Sequence, residues 1–208
     1  MSMEIISMLN ELNEMLENFL ANAGMWAPFF STILVFFEGI FAFLPLVVFV
    51  TVNVESFNLL IGSPWGTIVG ILISWVFSVA GGYCTFLLCR KGLQRFFLKH
   101  FKKKGLIRKF VDFVSTAKFS FIVLFMACAF TPSFIMNVGA GLSTMSKRRY
   151  LYIILIGKFF CVCFLAYVGT GLIECLTNPY KFIEMIIMLF IAYFFSKYVS
   201  KVFDLDKE

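Results

Sequence analysis

Two ionisable residues of opposite sign stand inside apolar runs. Glu38 lies in FFEGIFAFLP and Lys158 in LIGKFFC. A charge at the centre of a membrane helix costs at least about 2.5–3.5 kcal/mol, so such a group is usually paired or used. Glu38 has two readings: a structural carboxyl that hydrogen-bonds a broken helix, or a proton and charge carrier. The functional reading is preferred. Lys158 follows Arg149 by nine residues, roughly 13 Å along a helix. It can snorkel to the surface, or stay buried and pair with Glu38 or an anionic ligand. The buried role is preferred, and the adjacent Gly157 allows a close backbone approach.

A second pattern is Thr131-Pro132-Ser133. Thr is a good helix N-cap and Pro suits the first helical position. A half-helix starting there would aim unsatisfied N–H groups at a phosphate or other anion. A plain proline kink is the rival reading. Asn53 and Asn137 could hold a head group or satisfy broken backbone. Arg90, Lys91, Lys147, Arg148 and Arg149 are placed at one membrane surface, as contacts to anionic head groups or as topology markers, topology being the safer reading.

Other chemistry is missing. There is no GxSxG, HExxH or P-loop pattern. The aspartates Asp112, Asp204 and Asp206 fall beside loops or in the tail, and His100 stands alone. Cys84, Cys89, Cys128, Cys161, Cys163 and Cys175 lack paired zinc spacing and read as packing residues. The expectation is therefore a non-enzyme with no cofactor and no metal.

The elements that must position these residues follow from composition. The chain has 208 residues, is 61% apolar and 14% charged, and contains 29 Phe. Its mean hydropathy is +0.91. Soluble domains are about 45–50% apolar and about 25% charged, so a soluble enzyme, a disordered chain and a nucleic-acid binder are excluded. Residues 1–89 hold no Lys or Arg, and nine of the 18 basic residues fall within 90–109. Between apolar segments such a run reads as a cytoplasmic loop.

Residues 1–24 form an amphipathic helix rather than a signal peptide. Residues 25–203 form one membrane domain, and 204–208 a tail. Within the domain the expected parts are a hairpin at 26–60, a span at 65–89, a basic loop at 90–117, a hairpin at 118–145, and spans at 150–173 and 181–200. A single crossing by 119–142 would put Lys147-Arg148-Arg149 on the wrong side of the membrane. A re-entrant turn at Thr131-Pro132 returns this cluster to the side of the first basic loop. Ala42-Phe43-Leu44-Pro45 resembles Ala129-Phe130-Thr131-Pro132 at an offset of 87 residues. The fold expected is all-α: two oppositely oriented re-entrant helical hairpins forming an inverted repeat, with about three full transmembrane helices.

In this order, FFEGIFAFLPLVVFVTVN, SWVFSVAGGYCTFLLCRK, FTPSFIMNVGAGLSTMSKRRY and IGK resemble the DedA family, also called the SNARE-associated or VTT-domain family. The resemblance covers about residues 30–175. It implies two opposed re-entrant hairpins and a link to flipping or scrambling lipids, with polyprenyl phosphates and phospholipids such as phosphatidylethanolamine as substrates and proton coupling proposed. Glu38 matches the family acid before the first hairpin proline, here Pro45. Pro132, Asn137, Gly139, Gly141 and Lys158 match the second-half pattern. Many relatives carry an Arg just before the second hairpin proline, where this chain has Ala127-Cys128-Ala129. Lys158 could supply the missing charge, and Glu55 is an open candidate for a second acid.

The resulting expectation is a lipid translocase of the cytoplasmic membrane, flippase- or scramblase-like, with proton coupling an open feature. The alternatives are a small-solute or ion transporter, or a non-transporting scaffold. Membrane lipids are the expected partners, nucleic acid is not, and self-association is left open.

Overall fold

The computed structural model describes residues 18, 22, 24–41, 46–94, 106–128, 131, 133–169 and 179–205. The expected N-terminal amphipathic helix (apart from isolated residues), Pro45, Pro132, residues 95–105 of the basic run and the turn at Asn178 lie outside them.

The described residues form helices and no strands. After a short turn at Gly24–Trp26 come α1 (Ala27–Glu38), α2 (Leu46–Ile61), α3 (Trp65–Leu88), α4 (Leu106–Thr116), α5 (Phe119–Ala127), α6 (Ser133–Leu142), α7 (Lys147–Val168) and α8 (Pro179–Phe203). Among the described residues, three stretches are long and apolar enough to cross a membrane: Trp65–Leu93, Lys147–Val168 and Ile186–Phe203. A fourth is possible only if α4 and α5, bent by 115°, count as one span. At about 1.5 Å per residue, α1 reaches about 18 Å, α5 about 14 Å and α6 about 15 Å, each well short of a bilayer core of about 30 Å.

Helix ends follow local chemistry. Ser146 caps α7 by accepting from the Arg149 N–H at 3.1 Å. That starts the helix at Lys147, three residues before the expected 150. The helix stops before Gly169, which has φ 56°. Past Leu88, α3 continues through a π-turn over Cys89–Leu93.

The expectation of a loop throughout 90–117 is corrected by α4. Val111 and Val114 are buried on one side of this helix, while Lys109 and Asp112 are exposed. Arg108 and Asp112 pair at 3.0 Å, one turn apart. Phe110 lies against Gly139, whose missing side chain makes the room. The high charge of the segment hid an ordinary amphipathic period.

Around α3 pack α1, α2, α6 and α7. Its buried face carries small residues: Gly66, Gly70, Ser74, Ser78, Gly81 and Gly82. They permit backbone approaches that larger side chains would block. Contacts also give the helix directions. Gly66 and Gly70 meet Asn58 and Val54, so α2 runs antiparallel to α3. Trp75 donates to the Leu155 carbonyl at 2.9 Å and Phe86 stacks on Tyr150 at 4.2 Å, so α7 does too. Tyr152 stacks on Phe203 and Phe160 contacts Phe195, so α8 runs antiparallel to α7. The ends of α3 and α8 and the start of α7 therefore share one end of the bundle, rich in Lys and Arg. Outward residues such as Val76, Phe190 and Phe194 are apolar and exposed, as lipid-facing surfaces require.

Candidate functional site

The last residue of α1, the first of α6 and the middle of α7 converge. Lys158 Nζ lies 3.1 Å from Glu38 Oε2 and donates to Ser133 Oγ at 3.0 Å. Ser133 in turn donates to Glu38 Oε1 at 2.9 Å. The ring is closed: one cation, one carboxylate, and a hydroxyl that accepts from one and donates to the other. The Lys158 side chain is wholly buried and that of Glu38 only 9% exposed. Lys158 lies eleven residues into the 22-residue α7, roughly 17 Å along a helix of about 33 Å. If α7 crosses the bilayer, the pair is near the midplane.

Close backbone packing holds this point. Gly81 of α3 sits against the Phe36 carbonyl, where any Cβ would collide. A Cβ on Gly82 would meet Ile154 and Asn137, and one on Gly157 would meet Met126. The Gly39 carbonyl, freed at the end of α1, accepts from Thr85 at 2.6 Å and from Asn137 Nδ2 at 3.3 Å. Asn137 Oδ1 accepts from the Tyr150 hydroxyl at 2.6 Å. The Gly39 carbonyl, Thr85, Asn137 and Tyr150 thus satisfy one another, as burial requires.

The residues singled out from the sequence separate into groups. Glu38, Ser133 and Lys158 come together, with Asn137 linked through Gly39. Asn53 is elsewhere: it accepts from Ser31 at 2.8 Å and Thr32 at 3.1 Å and donates to Ser74 at 2.8 Å, joining α1, α2 and α3. Thr131 is half-buried just before α6. Gly139 and Gly141 allow the approach of Phe110 and of the end of α3. Arg90 donates to the carbonyls of Ala140, Gly141 and Met145, and its guanidinium lies 4.8 Å from the Phe86 ring centre. It thus satisfies the C-terminal carbonyls of α6. Arg149 is buried and donates to the Ala117 carbonyl at 2.7 Å. Lys91, Lys147, Arg148 and Glu55 are exposed. Among the described residues, no cluster of His, Cys, Asp or Glu could hold a metal ion.

Sequence reasoning missed Tyr150 and Thr85. Tyr150 left a signal, a phenol in an apolar run that needs a partner when buried. Thr85 falls on the small face of α3, but its partner Gly39 is distant in sequence.

The VTT domain family profile matches residues 18–171, about three quarters of the chain. The chain belongs to the VTT-domain, or DedA, family. This makes it a membrane protein of a family generally linked to membrane transport and not known for enzymes. It is 29% identical over 176 residues to the uncharacterized membrane protein YhjE of Bacillus subtilis (strain 168), covering 85% of this chain and 81% of the relative. No solved structure matches it.

Proposed function

We propose that this VTT-domain protein is a lipid translocase of the cytoplasmic membrane, flippase- or scramblase-like, which moves a phospholipid or a polyprenyl-phosphate carrier. The observation that carries the reading is the closed Glu38–Ser133–Lys158 ring halfway along α7. Burying an ion pair gains little stability over an apolar core. A lipid phosphate offers Lys158 and Ser133 the same kind of oxygen partner as Glu38. Protonation of Glu38 would weaken its hold on Lys158 and favour the exchange, which couples transport to a proton. In this reading α1–α2 and α5–α6 are the two re-entrant hairpins, inverted relative to each other, and the ring is where they meet. Thr131 and Pro132 precede the helix start that faces the phosphate. A scaffold reading is favoured by one feature, the completeness of the ring's own hydrogen bonding.

Flipping of fluorescent phospholipid and polyprenyl phosphate by purified protein in liposomes, with and without a pH gradient, tests the proposal. The wild type flips at least one of them, and Glu38→Gln and Lys158→Met abolish it. Flipping that survives both substitutions would remove the mechanism, and no flipping by folded wild type would leave the scaffold reading or solute transport.

A further inference from the structure

A cavity of about 730 Å³ opens at the basic end of the bundle, away from the Glu38–Lys158 ring. Its walls come from the α4–α5 bend, the start of α7 and the last turns of α8. Among the described residues that line it are three cations, Lys118, Arg149 and Lys197, and no carboxylate. Arg149 is buried and anchored to the Ala117 carbonyl, so its charge is fixed in the wall. Lys118 and Lys197 are exposed and make no ion pair among the described residues. The Ser120 side chain lines the same cavity and is only 7% exposed. The α5 helix begins at this place with no side-chain cap, so its N-terminal partial charge adds to the field.

Tyr193 joins this cavity to a second one. The second is about 340 Å³ and apolar, lined by Leu124, Ile186, Leu189, Phe190 and Tyr193. It runs toward the middle of α8. A polar cationic chamber and an apolar groove sharing one wall fit a ligand with an anionic head and a hydrocarbon tail. Two of the residues involved, Tyr193 and Lys197, lie on α8, beyond the matched domain that ends at residue 171.

We infer that this chamber and groove are a binding site for an anionic phospholipid of the leaflet on the basic side, its phosphate held by Lys118, Arg149, Lys197 and Ser120 and one acyl chain laid along α8. The site is separate from the proposed translocation centre. It holds a lipid that stabilises the seam between α5, α7 and α8, and it does not require transport. Phosphate alone would satisfy the chamber, but the groove commits the site to a lipid.

The test is a titration of the purified full chain, in detergent with an uncharged head group, followed by melting temperature. The probes are short-chain phosphatidylglycerol, phosphatidylcholine of the same chain length, and inorganic phosphate. Phosphatidylglycerol should raise the melting temperature saturably and the other two should not. At about fivefold in affinity per lysine, Lys118→Gln with Lys197→Gln should weaken the apparent affinity about thirtyfold. The corresponding Arg replacements should keep it. If the double Gln variant does not fold, Lys197→Gln alone should give about a fivefold loss. Unchanged affinity in the Gln variants would overturn the site. So would an equal response to phosphatidylcholine or a full response to inorganic phosphate.

Discussion

The wholly buried Lys158 has its charge met by Glu38 and its second hydrogen bond by Ser133. Removing one member of a buried pair leaves an uncompensated charge and costs about 3–5 kcal/mol, whereas replacing both is often neutral. Glu38→Gln or Lys158→Met alone should therefore destabilise the protein by about that much, and the double substitution should recover most of the loss. Thermal melting of the three variants in one detergent checks this. Full additivity would mean that the 3.1 Å pair carries no coupling. Stability and flipping should also come apart: the double variant is expected to fold well and to move no lipid. That separates a charge used for transport from one used only for assembly.

At the level of elements, the decisive contacts are between backbones. The end of α1 reaches the ring only because Gly81 lets the Phe36 carbonyl press against α3. Gly81→Ala should push α1 away and cost about 1–3 kcal/mol, as overpacking does. Gly92→Ala, where a Cβ meets nothing within 4 Å, should be close to neutral. Melting temperatures of the pair decide it, and equal values would mean that α1 is not held by that contact. Element ends were only partly legible beforehand. The apolar run of α7 was plain, but its true start depends on the Ser146 cap. The α4 helix is masked in the sequence because its short amphipathic period overlaps a run with nine basic residues between 90 and 109.

For the whole molecule, the uneven charge sets the sides. Lys147, Lys197 and Arg90 lie at one end of the bundle, and the turn before α3 lies at the other. In the proposed topology Thr144 and Ser63, both exposed, face opposite sides of the membrane. In a background lacking the six native cysteines, Thr144→Cys should react with an impermeant maleimide only from the cytoplasmic side, and Ser63→Cys only from outside. Labelling of both from the same side would show that residues 119–142 cross the membrane once and would end the re-entrant reading.

Much of this was present in the residues themselves. Apolar content and run length require a membrane, because no soluble core of 208 residues could bury 29 Phe. Motif order pointed to the family, and the opposite signs of Glu38 and Lys158 marked both as unusual in hydrocarbon. Sequence could not show that these two, 120 positions apart, share one hydroxyl. Nor could it separate Asn53, which ties α1 to α2 and α3, from Asn137, which closes the end of α1. Arg90 looked like a surface cation and instead caps α6. Periodicity and composition are local properties that each segment carries alone. Pairing is decided by which backbones can approach, and that depends on where a glycine on one helix meets a carbonyl on another.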